Sequence, residues 1–492
     1  MATPIPRNAA RFTLAEILDL TRGVITSAAA PSLATETVAV STDTRALTKG
    51  AVFVALHGDL HDGHAHLEAA ARVGASVALV ERDIPAPAGL AVVRVQSTLI
   101  ALGDLARAHA RRWRALGGDR KLVAITGSAG KTTTRVAVAA LLEHLCPGAV
   151  HGGQGNLNNR IGVPMVLLGL GPEHTIGVIE MGMNRPGEIA ELCRIAEPEI
   201  GVVTLIAVAH TELVGSIDCV AFEKNALFRA LPEDGVAIGN GDDPRVREGI
   251  LTSRARRRIF YGRAPGSLVK IVTRELRGLD RSQIRLDAGA RSEVSFVTPL
   301  LGEAGALASA AAVAVVDLAL GLPLTSAICA EAFARADVGA GAGRLVPRLF
   351  GSGLAVIDDS YNANPASMIS SIRAAAELAA STGRRLVLVL GEMRELGAES
   401  APGHDEVGRA AAESGAAQVF AIAGDAARIA ARAAEAGALA SFTDRVDDAA
   451  ALVLLAVRPQ DLVLVKGSRS IGTERLISAL AEAHGGIAGG AS

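Results

Sequence analysis

The segment LVAITGSAGKTTT at residues 122–134 limits the possible folds more than any other part of this sequence. It predicts an apolar strand, a glycine-containing turn and the start of a helix, in that order. Backbone N–H groups of such a turn can surround a polyphosphate, and the helix N-terminus adds a favourable dipole. Lys131 is expected to reach the terminal phosphates, and the hydroxyl of Thr132 to bind Mg²⁺. Ile125 stands where the usual pattern has its first glycine, so the turn begins at Gly127.

Apolar strands alternate with helices after this segment, which predicts a parallel sheet covered by helices on both faces. The strands are predicted at 122–126, 175–181, 200–206 and 235–239, with helices from residues 131, 186 and 216. Residues 256–300 instead contain short alternating segments such as RRRIFYG, which predict antiparallel hairpins. An alanine-rich helix is predicted at 304–320.

Two further α/β patterns flank this central unit. Before it, short strands at 38–56 and a helix and strand at 64–80 predict a small module, followed by a linking helix at 97–117 with Ser97 as its predicted N-cap. After it, the strands LAVIDDS, RLVLVLG, QVFAIAG and DLVLVKG alternate with helices at 365–380 and 402–414. A chain of 492 residues accommodates about three domains. The predicted class is therefore α/β, with a small N-terminal α/β domain (1–118), a central P-loop parallel-sheet ATPase domain (119–343) and a C-terminal Rossmann-like α/β domain (344–492).

Composition excludes several classes of protein. The 49 basic and 51 acidic residues give a formal charge of −2, which lacks the basic excess of a nucleic-acid-binding chain. The four cysteines have no CxxC spacing, so neither a disulfide framework nor a zinc site is expected. The N-terminus does not have the pattern of a signal peptide. The most apolar stretch, 306–330, is interrupted by Asp317, Gly321 and Pro323 and is rich in alanine. We therefore expect a cytoplasmic protein without a membrane span.

Polar residues after two of the central strands are candidate metal ligands. Glu180 ends one predicted strand and His210 ends the next, at the edge where open α/β sheets bind ligands. The alternatives to metal binding are that Glu180 is a solvated residue at a strand end and that His210 caps a helix. Lys224 lies on a predicted amphipathic helix, where a surface lysine is the ordinary interpretation. Only six of the basic residues are lysines, and Lys131 and Lys466 both follow apolar strands in glycine-flanked turns.

Three loops of the last domain fall on one predicted sheet edge. They are DDSYNANPAS, GEMRELG and KGSRS, each after an apolar strand. Carboxylates in the first of these loops could hold ribose hydroxyls. The alternative is that the three segments are connecting loops without a binding role.

Together these segments resemble the Mur ligase family of ATP-dependent amide-forming enzymes. The resemblance covers nearly the whole chain, in family order: STDTR, KGAVFVALHGDLHDGH, ITGSAGKTTT, NLNNRIGVP, EMGMNRPGEI, AHTEL, FEK, GRL, DDSYNANPASM, GEMRELG and KGSRS. YNANP and GEMRELG favour the branch that joins D-alanyl-D-alanine to UDP-N-acetylmuramoyl-tripeptide. The DNPR segment of the branch that adds the third peptide residue is not found.

The resemblance implies a role for each matching residue. The implied catalytic residues are Lys131, Glu180, His210 and Lys224. The implied ATP-binding residues are Gly127, Ser128, Ala129, Gly130, Lys131, Thr132, Thr133, Arg344 and Asp359. The implied substrate-binding residues are Ser41, Asp43, Arg45, Asp62, His64, Asn158, Asn159, Asn362, Asn364, Lys466 and Ser468. The implied Mg²⁺ ligands are Thr132, Glu180, His210 and a carbamylated Lys224.

The implied activity is ADP-forming ligation through an acyl phosphate, in the cytoplasmic synthesis of peptidoglycan precursors, by a monomer that uses ATP and Mg²⁺. One departure concerns adenine binding, because Ala304, Gly305 and Ala308 stand where the family usually has polar residues. This departure keeps open a catalytically impaired nucleotide-sugar-binding relative as one alternative, and a Mur-like ligase with another acceptor is the second.

Overall fold

The computed structural model describes residues 6–27, 32–58, 61–153, 155–289, 293–335 and 343–486. Within these ranges the strands form three sheets, of five, nine and six strands. The predicted α/β class is confirmed, and each sheet corresponds to one of the three predicted α/β patterns.

The first sheet has the strand order β1-β5-β4-β3-β2, parallel except for β1. Its strands are β1 (Val24–Ile25), β2 (Val40–Ser41), β3 (Val52–Val54), β4 (Val77–Val80) and β5 (Ala91–Arg94). The helices of this part are α1 (Leu14–Thr21), α2 (Leu67–Val73) and α3 (Thr98–Ala115). Ser97 caps α3, because its hydroxyl accepts a hydrogen bond from the backbone N–H of Ile100, as the sequence predicts.

The second sheet has the order β14-β13-β12-β11-β10-β9-β6-β8-β7. Its strands are β6 (Lys121–Thr126), β7 (Val150–Gly152), β8 (Ile176–Glu180), β9 (Ile200–Val203), β10 (Val236–Asn240), β11 (Arg257–Gly262), β12 (Val269–Arg277), β13 (Arg281–Asp287) and β14 (Glu293–Thr298). The helices are α4 (Lys131–Leu145), α5 (Gly162–Leu168), α6 (Glu188–Ala196), α7 (Thr211–Val214), α8 (Ile217–Lys224), α9 (Ala226–Ala230), α10 (Pro244–Ile250), α11 (Gly302–Val313) and α12 (Ser326–Arg335).

Two predictions for this sheet are wrong. The RRRIFYG segment is not part of a hairpin, because β11 pairs in parallel with β10 and so continues the parallel sheet. The first two residues of β11, Arg257 and Arg258, are exposed, so this parallel strand has the polar sequence pattern of an antiparallel strand. The strand that was expected to reach His210 ends at Val203. Antiparallel pairing is confined to β12, β13 and β14 among the described strands of this sheet.

The third sheet has the order β15-β16-β20-β17-β18-β19, parallel except for β15. Its strands are β15 (Val346–Leu349), β16 (Ala355–Asp359), β17 (Leu386–Gly391), β18 (Gln418–Ile422), β19 (Ala440–Thr443) and β20 (Leu462–Lys466). The helices are α13 (Pro365–Thr382), α14 (Ser400–Glu413), α15 (Ala426–Glu435), α16 (Val446–Ala456) and α17 (Glu474–Ala483). The carboxyl ends of β16, β17 and β20 meet at one edge, as predicted.

The alanine-rich helix lies in the core of the middle part. In the described part of the chain, residues 302–319 are long and apolar enough to cross a membrane by length and composition, yet 72% of this window is buried within the protein. Small alanines let α11 pack closely against α4, the helix that follows the glycine turn. Core packing therefore accounts for the apolar composition of this helix.

Helix α3 joins the first two parts rather than separating them. It packs against α1 on one side and against α5 and α6 on the other. The guanidinium groups of Arg107 and Arg111 both bind the Glu197 carboxylate at the end of α6. The domain limits at 118/119 and 343/344 stay predictions.

Candidate active site

A cavity of about 1130 Å³ lies between the middle and C-terminal sheets. Most of the residues implied by the family resemblance line it: Ser128, Ala129, Gly130, Lys131, Thr132, Thr133, Asn158, Asn159, Glu180, His210, Arg344, Asp359, Asn362, Asn364, Lys466 and Ser468. The fold thus brings the glycine turn and the three C-terminal loops to a single cleft.

The glycine turn is braced by the chain that follows β9. The backbone N–H of Ser128 donates to the Leu205 carbonyl at 2.6 Å, and the hydroxyl of Thr204 donates to the Ala129 carbonyl at 2.6 Å. Gly127 has φ +150°, and a Cβ there would overlap the Thr204 hydroxyl. The backbone N–H of Thr204 still donates to the Thr126 carbonyl of β6 at 2.9 Å, so the chain passes directly from the sheet to the support of the turn. Gly127 itself does not line the cavity.

Lys131 is the first residue of α4 and directly follows Gly130 of the glycine turn. Its ammonium donates to the Gly127 carbonyl at 2.8 Å. Burial lowers the pKa of Lys131, and the charge of Glu180 opposes this change. The side chain therefore places a cation next to the backbone N–H groups that would surround a phosphate.

Glu180 ends β8 as predicted and is buried in the cleft. One carboxylate oxygen accepts from the Thr132 hydroxyl and the other from the Asn158 amide, both at 2.7 Å. Burial opposes ionisation, but the charges of Lys131 and Arg344 outweigh it, so the pKa of Glu180 lies below its ordinary value. Glu180 is an ionised carboxylate, and a solvated strand-end glutamate is excluded.

Lys224 ends α8, and its side chain is buried rather than exposed. Burial and the charge of Lys131 hold the pKa of Lys224 well below its ordinary value, against the attraction of Glu180. The surface-lysine interpretation is therefore wrong. A neutral amine is a nucleophile, which is the form of lysine that reacts with CO₂ to give a carbamate.

His210 is placed differently from the prediction. It precedes α7 with φ +58°, beyond the end of the sheet, and its side chain makes no capping hydrogen bond. Its Nδ1 lies 2.6 Å from a carboxylate oxygen of Glu395, in the GEMRELG loop of the C-terminal part. The hydrogen bond with His210 lowers the pKa of Glu395. The sequence analysis did not predict a role for Glu395, although it placed the GEMRELG loop at the ligand-binding edge of the sheet.

Asp359 and Lys466 bind each other. The Lys466 ammonium donates to Asp359 at 2.6 Å and to the Asn362 carbonyl at 3.0 Å. Asp359 also accepts from the Ser371 hydroxyl at 2.5 Å and from the Leu345 backbone N–H at 3.1 Å. Oδ2 accepts from Lys466 and Ser371 and Oδ1 from Leu345, so of the roughly four acceptor positions of a carboxylate one is left on Oδ1 for a ribose hydroxyl.

Other residues of the C-terminal loops face the glycine turn. The Asn364 amide caps α13 and donates to the Ser128 carbonyl at 3.2 Å, across the two sheets. The guanidinium of Arg344 lies over the Tyr361 ring at 4.1 Å. The Ser468 hydroxyl accepts from the Arg394 backbone N–H at 2.9 Å. Tyr361 is a cleft residue that the sequence interpretation missed, although it lies within the YNANP segment.

The implied residues of the first part do not line this cleft. The Asp43 carboxylate pairs with Arg45 at 2.7 Å. Asp62 lies 2.6 Å from His64 Nδ1 and 2.5 Å from the Arg82 guanidinium. Ser41 is buried and bonds with the backbone of Asp43. Residues 59 and 60 of the GDLHDGH loop lie outside the described residues.

The donors in the cleft are suited to Mg²⁺ held partly by phosphate. Among the described residues there is no group of three or more His, Cys, Asp or Glu side chains able to hold a metal by themselves. Thr132 and Glu180 supply a hydroxyl and an ionised carboxylate 2.7 Å apart. Mg²⁺ prefers oxygen ligands and usually combines one or two carboxylates with phosphates and water. The side chains present therefore fit the ion together with a nucleotide.

One stretch of the cleft lining consists of small apolar residues. Ala304, Gly305 and Ala308 form it at the start of α11, and the neighbouring Glu303 pairs with Arg263 at 2.6 Å. The predicted departure thus lies inside the cleft, where it leaves apolar surface.

Comparison with known proteins places these features in a family context. Residues 125–316 match the Mur ligase middle domain family, and residues 343–469 match the family described as Mur ligase, glutamate ligase domain. The chain is 36% identical over 447 residues to the UDP-N-acetylmuramoyl-tripeptide–D-alanyl-D-alanine ligase of Escherichia coli (strain K12), covering 90% of this chain and 94% of that protein. It is 33% identical to the enzyme of that name from Synechocystis, covering 90% and 91%.

Solved structures agree with these matches. MurF from Acinetobacter baumannii superposes with a TM-score of 0.83 at 30% identity, over 98% of this chain and all of that chain (100%). MurF from Thermotoga maritima, solved in complex with ADP, superposes with a TM-score of 0.76 at 26% identity, over 90% and 97%.

Proposed function

This chain belongs to the Mur ligase family, and on that premise we propose that it is an ATP-dependent, ADP-forming ligase that joins D-alanyl-D-alanine to UDP-N-acetylmuramoyl-tripeptide. The observation that carries the proposal is the single cleft in which the glycine turn faces the YNANP and KGSRS segments. Its relatives of 32–36% identity that share this name support the same reaction.

The reaction requires activation of an inert acid. A carboxylate does not react with an amine in water, because its charge repels the nucleophile and oxide is a poor leaving group. Transfer of the γ-phosphoryl group of ATP to a carboxylate oxygen gives an acyl phosphate and ADP. The dipeptide amine then attacks the carbonyl carbon and loses a proton, the carbon–oxygen bond to phosphate breaks, and inorganic phosphate leaves.

The middle part supplies the charge for phosphoryl transfer. The backbone N–H groups of 127–130 and the Lys131 ammonium would stabilise the negative charge on the transferring oxygens. We assign Thr132, Glu180, His210 and Lys224 to the metal site. Mg²⁺ held there and by ATP would neutralise phosphate charge. Burial of the amine of Lys224 supports its carbamylation, which would replace an ammonium that repels the metal by anionic oxygens.

The remaining implied residues are assigned by position. Arg344 and Asp359, at the joint between the two sheets, would contact the nucleotide, and Asn158 and Asn159 the muramoyl-peptide. Asn362, Asn364, Lys466 and Ser468 would lie near the joining peptide ends. Ser41, Asp43, Arg45, Asp62 and His64 would hold the uridine end, away from the cleft.

We further propose the domain limits 1–118, 119–343 and 344–492, in which the acceptor and nucleotide are held by different domains. Closure of the domains would then align the reactants and exclude water that would hydrolyse the acyl phosphate. The enzyme would act as a cytoplasmic monomer in peptidoglycan synthesis, and so in cell shape and division.

A phosphate-release assay tests the proposal. We expect inorganic phosphate only when ATP, UDP-N-acetylmuramoyl-tripeptide and D-alanyl-D-alanine are all present. Lys131→Ala is expected to lower kcat by at least about 100-fold, because it removes a positive donor to the transferring phosphoryl group. Lys121→Ala, at the opposite end of β6, is the matched control and should be unaffected. Equal ATP turnover without either peptide would contradict the proposal, and turnover with another acceptor would favour a Mur-like ligase of different specificity.

A further inference from the structure

The edge of the cleft contains a direct contact between the middle and C-terminal parts. His210 Nδ1 lies 2.6 Å from Glu395 Oε2, although the two residues are 185 positions apart. The backbone N–H of Glu212 donates to the Glu395 carbonyl at 3.2 Å. The Thr211 hydroxyl donates to the Leu396 carbonyl at 2.8 Å. We call residues 210–212 and 395–397 the 210/395 contact.

The backbone on both sides of this contact has an unusual shape. His210 and Glu395 have φ +58° and +65°, the left-handed region that is unfavourable for residues with a Cβ. Gly397 has φ +54°, and a Cβ there would lie 2.9 Å from the Glu212 Cα. Non-glycine residues keep such conformations where the surrounding structure imposes them, often at functional sites. Both segments are therefore held in the conformations in which imidazole and carboxylate meet.

The carboxylate fixes the imidazole. An ionised carboxylate only accepts hydrogen bonds, so the pair requires the hydrogen of His210 on Nδ1. The lone pair of Nε2 is then available to the cleft that His210 lines. Histidines that bind metals commonly donate their other N–H to a carboxylate, which sets both the tautomer and the ring orientation.

We propose that Glu395 is a positioning residue that holds His210 ready to bind a divalent cation. This inference rests on the proposed function, since the cation is the one that accompanies ATP. Glu395 comes from the C-terminal part whereas His210, Glu180 and Thr132 belong to the middle part. His210 is consequently held in its metal-binding orientation only when the two parts are docked, which couples cation binding to the domain arrangement needed for peptide transfer.

Titration of the full-length protein with Mn²⁺ by electron paramagnetic resonance, in the presence of a non-hydrolysable ATP analogue, tests this role. Glu395→Ala is expected to raise the Kd for Mn²⁺ at least about 10-fold, the usual effect of losing such a partner. Glu395→Gln should recover most of the affinity, because its amide oxygen still accepts from Nδ1. Gly397→Ala should weaken binding with the Glu395 carboxylate intact.

Glu377→Ala is the matched control. It removes an ion pair between the same two parts, with Arg274 at 2.7 Å, outside the residues that line the cleft. Its Kd for Mn²⁺ should equal that of the wild type. Glu395→Ala that binds Mn²⁺ as tightly as Glu377→Ala would overturn the inference.

A double variant isolates the path through the histidine. In a His210→Ala background, Glu395→Ala should cause no further loss of Mn²⁺ affinity. A loss as large as in the wild type would also overturn the inference. Phosphate release by the wild type is measured separately. If the wild type releases no phosphate with all three substrates, the proposed reaction is refuted. If Glu395→Ala still weakens Mn²⁺ binding in that case, the positioning role stands.

Discussion

At the scale of single residues, the site contains ionisable groups whose pKa values are shifted by burial and by neighbouring charges. Glu180 stays ionised in the cleft because Lys131 and Arg344 compensate the cost of burial. Lys224 is buried near Lys131, and both burial and the charge of Lys131 hold the pKa of its amine well below the ordinary value. The environment thus favours the charged form of Glu180 and the neutral form of Lys224, which is the combination that the proposed metal site and carbamylation require.

Lys224 provides the residue-scale prediction. Removal of dissolved CO₂ should lower activity, and added bicarbonate should restore it, because only the carbamate offers anionic oxygens to Mg²⁺. Lys224→Ala should lose at least about 100-fold in kcat and should not respond to bicarbonate. The measurement is phosphate release in degassed and bicarbonate-supplemented buffer. Wild-type activity that is independent of CO₂ would contradict this role.

At the scale of elements, the glycine turn between β6 and α4 depends on the chain segment that packs against it. The chain that follows β9 bonds to the turn through Thr204 and Leu205. Gly127 is required on two grounds, its φ of +150° and the absence of room for a Cβ.

Gly127→Ala should therefore distort the phosphate turn. We expect loss of at least about 10-fold in ATP affinity, together with a lower free energy of unfolding, since the new methyl group would overlap Thr204. Gly117→Ala is the matched control, because Gly117 also has positive φ (+84°) but has nothing within 4 Å of an added Cβ. It should cost about 1 kcal/mol of stability and leave ATP binding unchanged. Calorimetry and denaturant unfolding measure both effects, and equal ATP affinities of the two variants would refute this explanation.

The elements also show what the sequence can predict. Glu180 could be placed because a continuous apolar run ends at it, and α3 because Ser97 is an N-cap. The parallel pairing of β11 could not, since two exposed arginines give it the pattern of a hairpin strand. The burial of Lys224 and its contact environment depend on the packing of α8 against distant elements. The pairing of His210 with Glu395 joins segments 185 positions apart, which no local pattern reveals.

At the scale of the whole molecule, the residues implied in binding are distributed over the parts built on the three sheets. The glycine turn and the C-terminal loops share the cleft, whereas Asp43, Arg45, Asp62 and His64 lie apart from it. The separation between the cleft and these residues of the first part suits a long substrate that has a nucleotide at one end and a peptide at the other.

Asp62→Ala should accordingly raise the KM for UDP-N-acetylmuramoyl-tripeptide at least about 10-fold, since it removes the partner of both His64 and Arg82. The KM for ATP and the kcat should not change, because Asp62 is not a residue of the cleft. Asp83→Ala, which breaks an exposed pair with Arg94 in the same part, is the control. A change in the KM for ATP alone would contradict the assignment of the uridine end to this part.

Isotope transfer tests the central claim most directly. UDP-N-acetylmuramoyl-tripeptide labelled with ¹⁸O in its reacting carboxylate is converted with unlabelled ATP and D-alanyl-D-alanine, and the inorganic phosphate is analysed by mass spectrometry. If the γ-phosphoryl group passes to the carboxylate, the carbon–oxygen bond breaks when the amine attacks, and each phosphate carries one ¹⁸O atom. Phosphate free of ¹⁸O, formed together with the amide, would contradict the acyl-phosphate mechanism.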